Sequence, residues 1–279
     1  MKVMNQAMSA GIDIVGLPAF RDNRLWCVRQ GQSVVLVDPG DAKPVLKFLV
    51  EQALQPVAVL LTHHHADHVG GLAELLQRYP ELPVYGPAAE SITGVSCPLF
   101  GGESLNLLGF TWRVMALAGH TRGHLAYGLE GGGNAPLRLF SGDVLFGLGC
   151  GRLFEGSPAE MAASLAAIAA LPDETEIFCA HEYTALNLPF AEMVLPDNEH
   201  LRQRAPGVRR AAASGASTLP LRLADEKASN PFLRCTDSAV IAAVRQHLAQ
   251  RGVDNAALAG LLADPVAVFA ALREWRNHF

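Results

Sequence analysis

Four of the twelve residues from 60 to 71 are histidines, namely His63, His64, His65 and His68, and Asp67 stands directly before the last of them. Neutral imidazoles and a carboxylate suit zinc, iron or manganese. If the apolar run 57–61 is a strand, His63 and His65 point to one side and His64 to the other. Asp67 and His68 follow on the turn and can serve a second ion. Further residues of the same types recur downstream. His120, Asp143 and His181 each come at the end of a separate predicted strand. Strand ends on one edge of a sheet converge, so these donors can close on two cations about 3.5–4 Å apart, the usual two-metal spacing. Asp143 can bridge them, because a carboxylate has two oxygens and a neutral imidazole only one free nitrogen. A His-rich surface turn that binds metal by accident is the plain alternative, and the recurrence of donors at other strand ends argues against it.

Other residues carry weaker signals. His124 follows His120 by four residues and either orients a ligand from behind or is an ordinary buried histidine. Asp38 either accepts a hydrogen bond from a ligand or simply forms the turn Asp38-Pro39-Gly40. His200, His247 and His278 have no partners in sequence and read as surface residues. Cys150 lies in a glycine-rich turn without an activating neighbour and reads as structural.

The elements that must position the donors follow from the hydrophobic pattern. Residues 12–17, 25–29 and 33–37 read as strands, and 42–54 has helical spacing closed by Pro56. The run 57–61 is a buried strand that delivers the histidines into a helix over 72–79. A short strand follows at 83–85. Residues 105–108 and 111–117 fit a hairpin about Gly109, and 125–129 and 137–140 form the next pair across Gly131-Gly132-Gly133-Asn134. Ser157-Pro158-Ala159-Glu160 is a helix start with a capping box, and that helix runs to about residue 170. Residues 175–180 form a further strand ending at His181. Beyond it the β signal fades. Residues 186–194, 238–250 and 256–275 read as helical, with Pro265 breaking the last, and 213–220 reads as a connector. The class is α+β, with a metal-binding domain over 1–181 and a helical domain over 182–279.

Composition narrows the class of partner. Of the 279 residues, half are hydrophobic and 18% are charged, which suits a globular core. A net charge of −5 gives no general attraction to nucleic acid or anionic membrane. The arginines in 201–222 read mainly as a solvated face. The five cysteines, odd in number and without CxxC spacing, point to free thiols in a reducing compartment. No apolar run reaches the ~18 residues of a membrane span. Residues 1–11 lack the apolar segment of a signal peptide. The expectation is a cytoplasmic monomer acting on a small molecule, with no nucleic acid and no membrane.

Thr62-His63-His64-His65-Ala66-Asp67-His68 resembles the THxHxDH signature of the metallo-β-lactamase superfamily, and His120, Asp143 and His181 follow in the superfamily's order. Within it the chain is similar to the bacterial glyoxalase II family, the hydroxyacylglutathione hydrolases. The stretches that carry this are Ser141-Gly142-Asp143-Val144-Leu145-Phe146, Gly149-Cys150-Gly151-Arg152-Leu153-Phe154-Glu155-Gly156, Ala180-His181-Glu182-Tyr183-Thr184 and Asn230-Pro231-Phe232-Leu233-Arg234. The resemblance implies an αββα sandwich followed by a helical domain that completes the substrate site. It implies His63, His65 and His120 on one metal, Asp67, His68 and His181 on the other, and Asp143 between them. It further implies that Arg152, Tyr183 and Arg234 contact glutathione, whose carboxylates arginine binds in bidentate fashion.

The implied reaction is hydrolysis of S-D-lactoylglutathione to D-lactate and glutathione, the second step of methylglyoxal detoxification. Two divalent cations, zinc first and iron or manganese next, would supply hydroxide, with Asp67 and Asp143 as catalytic residues. The thiolate leaving group has a free-acid pKa of about 8.5 and needs little help from an acid. Three departures from the family bear on substrate affinity. Phe154 stands where some members carry tyrosine, Cys235-Thr236-Asp237 follows Arg234 where some have another basic residue, and Asp22-Asn23-Arg24 replaces Asp-Asn-Tyr. The nearest rival is a persulfide dioxygenase with one iron, for which Gly-Arg-Thr-Asp-Phe rather than Gly151-Arg152-Leu153-Phe154-Glu155 is expected. A lactone or phosphodiester hydrolase and a non-catalytic metal-binding module are the others.

Overall fold

The computed structural model describes residues 6–9, 11–133 and 135–279. Residues 1–5 and 10, on which the reading of the N-terminal stretch rests, and Asn134 of the glycine turn lie outside the described residues. Two sheets face each other. The first holds β1 (Gln6–Ser9), β2 (Ile12–Ala19), β3 (Asn23–Gln30), β4 (Ser33–Val37), β5 (Gln55–Leu60), β6 (Val84–Pro87) and β7 (Cys97–Leu99) in that spatial order. The second runs β15-β14-β11-β10-β9-β8, from β8 (Ser104–Leu107), β9 (Phe110–Ala116), β10 (Leu125–Leu129), β11 (Arg138–Gly142), β14 (Glu176–Cys179) and β15 (Leu221–Arg222). A small hairpin, β12 (Leu145–Phe146) and β13 (Gly149–Cys150), stands apart.

Alternation along the central strands explains the layering. Trp26, Val28, Val35, Val37, Ala58 and Leu60 face the second sheet and share a core with Trp112, Tyr127 and Phe140. Their neighbours Leu25, Cys27, Val34, Leu36, Val59 and Leu61 face outward, under α1 (Ala42–Glu51) and α3 (Leu72–Arg78). Strands covered on both faces need apolar residues at every position, which is why 57–61 reads as a continuous run rather than an alternating one. Between these helices α2 (Ala66–Val69) forms a single turn. The second sheet is covered by α4 (Pro158–Ala169), whose Met161, Leu165 and Ile168 are buried, and whose start carries the predicted capping box at Ser157 and Glu160. The architecture is the expected αββα sandwich followed by helices.

The helical part comprises α5 (Thr184–Val194), α6 (Glu199–Ser214), α7 (Leu223–Ser229), α8 (Ser238–Gln250), α9 (Asn255–Leu261) and α10 (Pro265–Asn277). Two details differ from the sequence reading. The arginine-rich stretch is a full helix, α6, carrying Pro206 inside it, and the connector shrinks to 215–220. A strand also survives beyond residue 181, because β15 pairs antiparallel with β14 and adds an edge to the second sheet. The hairpin between β8 and β9 turns on Leu108 and Gly109, both at positive φ, the two-residue turn whose twist suits antiparallel strands.

Candidate metal centre

The strand β5 ends at Leu60 and the chain then runs extended through His63 and His65 before α2 carries Asp67 and His68. His120 arrives from the loop after β9, Asp143 from the end of β11 and His181 from the end of β14. All seven predicted donors meet at this edge of the sandwich. His65 Nδ1 lies 3.0 Å from His63 Nε2 and 3.0 Å from His120 Nε2. Asp67 Oδ2 lies 3.7 Å from His68 Nε2 and 3.4 Å from His181 Nε2. Asp143 faces both groups. Its Oδ2 is 3.3 Å from His120 Nε2, while its Oδ1 is 3.5 Å from His68 Nε2 and 3.4 Å from His181 Nε2.

The groups behind the imidazoles fix which nitrogen is free. His120 Nδ1 donates to the Arg152 carbonyl at 2.9 Å, and His181 Nδ1 donates to Asp22 Oδ1 at 2.8 Å. His68 Nδ1 donates to Asp38 Oδ2 at 3.0 Å. The Thr62 hydroxyl gives its proton to the same Asp38 oxygen at 2.7 Å, so it accepts from His63 Nδ1 at 3.0 Å. Each of these four rings therefore turns its Nε2 towards the centre, the arrangement by which outer carboxylates and carbonyls orient metal-binding histidines. Buried His68 Nε2 and Asp143 Oδ1 have no hydrogen-bond partner. Converging lone pairs at these spacings repel unless a cation or protons lie between them. The donor set, two imidazole-and-carboxylate groups sharing one aspartate, fits a pair of divalent cations.

Protonation follows the same division. Burial and the neighbouring imidazoles push His63 well below the usual histidine range, and burial lowers His65 and His120. Burial also disfavours the charged form of His68, but Asp143 and Asp38 outweigh it and raise His68 to about 9. His181 is raised in the same way by Asp143 and Asp22 against its burial. Burial opposes ionisation of Asp143, yet His68 and His181 hold its carboxyl far below the ordinary range. Asp67 is lowered too, since His68 and the Asn23 amide, 2.9 Å from its Oδ2, overcome burial. Without a cation His68, raised to about 9, thus keeps at neutral pH a proton that a cation would replace.

The weaker sequence signals resolve. Asp38 is buried at positive φ and also accepts from the Thr62 amide at 2.7 Å, so it is both turn-former and ligand orienter. Gly40 beside it admits no side chain, because a Cβ would stand 1.7 Å from the Asp67 carbonyl. His124 is buried and its Nε2 accepts the Asp143 amide at 3.1 Å, which holds Asp143 from behind. His64 points away from both groups, as the alternation predicts. His247 stacks on Trp275, His200 pairs with Asp225, and neither is near the centre's donors. Cys150 is buried and its thiol is raised by that burial, against Arg273, so it is no nucleophile.

A cleft of about 830 Å³ opens over the centre. Arg152, Phe154 and Tyr183 line it together with His120 and Asp143. Tyr183 stacks on His181 at 4.7 Å, and burial raises its phenol, which stays protonated as a donor. Arg234 requires a correction. It lines a separate pocket behind the helices, where its guanidinium is taken up by the Lys227 and Ala228 carbonyls at the end of α7 and by Asp237. The preceding Asn230 is the part of that stretch that reaches the cleft region, since its amide binds the Phe146 and Gly149 carbonyls of the β12–β13 hairpin. The cations that line the cleft from the helical part are Arg273 and Arg276 on α10. Sequence reading missed them because nothing in a C-terminal amphipathic helix marks which face is covered.

Residues 25–181 match the family model described as metallo-beta-lactamase superfamily, and residues 182–279 match that of the hydroxyacylglutathione hydrolase C-terminus. A hydroxyacylglutathione hydrolase of Dechloromonas aromatica is 52% identical over 271 residues, covering 96% of this chain and all of the relative. One from Nitrosomonas eutropha is 47% identical, covering 96% of this chain and 99% of that one. Among solved structures, ETHE1 from Myxococcus xanthus superposes with a TM-score of 0.58 at 21% identity, over 99% of this chain and 98% of its own. The BLEG-1 B3 metallo-beta-lactamase gives 0.60 at 23%, over 79% and 99%. At those identities the structures speak for the fold alone.

Proposed function

This chain belongs to the hydroxyacylglutathione hydrolase family of the metallo-β-lactamase superfamily, and from that premise we propose how its residues carry out thioester hydrolysis. It is a glyoxalase II-type enzyme, and the substrate is a 2-hydroxyacylglutathione, S-D-lactoylglutathione first. The persulfide dioxygenase and the non-catalytic module are not favoured by this membership. The observation that carries the detailed reading is Asp143, whose two oxygens face the two donor groups at 3.3–3.5 Å.

In this reading His63, His65 and His120 would hold one divalent cation and Asp67, His68 and His181 a second, with Asp143 facing both. Zinc is the first candidate, with iron and manganese next. Such a pair supplies a water acidified towards neutrality and a Lewis acid for the thioester carbonyl. The chain's own groups do the rest. Asp67, whose Oδ2 is held by the Asn23 amide, would help hold and orient the water that such a pair supplies. Arg152, Arg273 and Arg276 receive the glutathione carboxylates, and Tyr183 donates its phenol proton to the substrate backbone. Phe154, edge-on to His65 and His120 at 5.3 Å, shields the reacting carbon from bulk water. The departing thiolate is stable enough to leave without a general acid.

Residues 1–181 act as the metal-binding domain and 182–279 as the substrate-binding domain. No helix among the described residues is long and apolar enough alone to cross a membrane, and all five cysteines are free thiols. Those thiols support a reducing compartment, the cytoplasm. The net charge of −5 supports a small-molecule substrate over a nucleic acid or membrane partner. The test is metal content per chain measured beside thiol release from S-D-lactoylglutathione. Two equivalents and rapid release are expected. A single iron with oxygen uptake on glutathione persulfide would overturn the reading.

A further inference from the structure

We propose that Glu90 is a positioning residue for the first donor group, fixing the spread of His63, His65 and His120 by holding the two loops that carry them. The inference rests on the metal-binding reading above. Glu90 lies in the turn just beyond β6, outside the donor groups themselves, and its side chain is only 3% exposed. One oxygen accepts the His64 amide at 2.6 Å and His64 Nδ1 at 2.8 Å. The other accepts the Gly123 amide at 3.1 Å and the Thr121 hydroxyl. His64 sits between His63 and His65 in the chain, and Thr121 follows His120. One carboxylate therefore ties loop 63–65 to loop 120–123.

The four contacts suit a carboxylate. It is acceptor-only, with two oxygens that can take two donors each, and four donors meet it here. Hydrogen bonds to a charged acceptor are also the stronger kind. A carboxamide of the same size would turn an NH₂ towards two donors. The fit is close, since a Cβ on Gly123 would stand 2.5 Å from Glu90 Cγ. His64 closes the arrangement on the other side, with Nε2 3.1 Å from Glu155 Oε1, while the Phe154 amide binds the His120 carbonyl at 3.1 Å.

The consequence is selective. Among the described residues the Glu90 carboxylate bonds to the loops of the first group, whereas His181, Asp67 and His68 are held by Asp22, Asn23 and Asp38. The His65–His120 spacing of 3.0 Å is the one that crosses between the two loops. Loss of Glu90 should loosen one cation and spare the other.

The experiment titrates metal-stripped protein with Zn²⁺ against a chromophoric chelator and repeats it with Co²⁺, reading the visible absorption of each equivalent. Glu90→Gln should weaken one equivalent by about 10–100-fold, the usual effect of losing a partner behind a ligand, and leave the other as in the wild type. Thr121→Val removes one of the four donors and should shift the same equivalent by less. It carries the test if Glu90→Gln does not fold. Unchanged binding, or equal weakening of both equivalents, would overturn the proposal. A wild-type protein that binds two equivalents but leaves S-D-lactoylglutathione intact would sink the functional reading and leave this one standing. An E90Q protein with the wild-type metal profile would do the reverse.

Discussion

His181 Nδ1 donates to Asp22 Oδ1 at 2.8 Å across 159 residues of chain. The pairing is built by the β2–β3 turn, which clips onto the end of β14 through the Arg24 amide to the Ala180 carbonyl at 2.7 Å and the Glu182 amide to the Asp22 carbonyl at 2.9 Å. Asp22 thereby fixes the tautomer that leaves His181 Nε2 free. Asp22→Ala should cost 10–100-fold in affinity for one cation and a comparable factor in kcat/KM, read by dialysis against chelator and by initial rates. Asp22→Asn, which keeps an acceptor oxygen, should lose less. Equal metal retention in wild type and Asp22→Ala would refute the role.

Asp143 faces both groups, its Oδ2 towards His120 and its Oδ1 towards His68 and His181. Asp143→Ala should leave the sandwich folded, because the residue sits at a strand end rather than within the core. It should hold less than two equivalents of metal and lose nearly all turnover. Full activity in this variant would end the two-cation scheme.

The pH behaviour of the stripped protein follows from His68. Its folded value of about 9 lies above the ordinary value of about 6.5 for an unfolded chain. A group raised on folding stabilises the native state fully below its unfolded pKa, and that stabilisation disappears as pH rises through the folded value. Stripped protein should therefore lose stability between about pH 6.5 and pH 9, in urea unfolding at the two extremes. Zinc uptake near pH 7 should release protons, seen as a buffer-dependent heat in calorimetry. Uptake with no proton release would contradict the assignment.

The arginines of the cleft can be told from the one behind it. Arg273 Nη1 donates to the Cys150 carbonyl at 2.9 Å, and Arg276 reaches the Asn187 side chain at 3.2 Å, so both are held at the cleft wall. Arg273→Ala or Arg276→Ala should raise KM for the glutathione thioester by roughly tenfold, about 1.4 kcal/mol for a lost charged contact, with kcat changed less. Arg234→Ala should leave KM alone and lower the melting temperature, because it unties the carbonyls that end α7. The opposite pattern would restore Arg234 to the substrate.

The convergence of the seven side chains was legible because residues of these types followed spacing rules: two apart on an extended segment, and at the ends of predicted strands. The groups that orient them were less so. Asp22 and Asn23 look like an ordinary polar turn until β2–β3 folds against β14, and no local pattern reports a contact made 159 residues away. Arg234 misled for the converse reason. Its stretch is distinctive in sequence, but the distinctive residue is Asn230, which binds the β12–β13 hairpin, and the 3₁₀ turn Pro231–Leu233 then carries the arginine away from the cleft. Periodicity carried the α+β class and most of the strands, and the sandwich came only with the family resemblance, while sheet order and the late strand β15 depend on tertiary pairing.

Phe154 offers the sharpest test of substrate contact. It is 62% exposed at the cleft wall, and its neighbours are the edges of His65 and His120 rather than a packed core. A large apolar ring held that open is of little use to folding, so replacing it should not disturb stability beyond the ~0.5 kcal/mol typical of surface changes. Phe154→Tyr adds one hydroxyl that can reach bound glutathione. If the thioester lies across Arg152, Phe154 and Tyr183, the new hydrogen bond should lower KM several-fold, as about 0.5–1.5 kcal/mol would, with metal content and kcat unchanged. A matching gain on a glutathione-free thioester would show that the hydroxyl acts on the acyl group instead. No change on either substrate would move the glutathione away from Phe154 and towards α10.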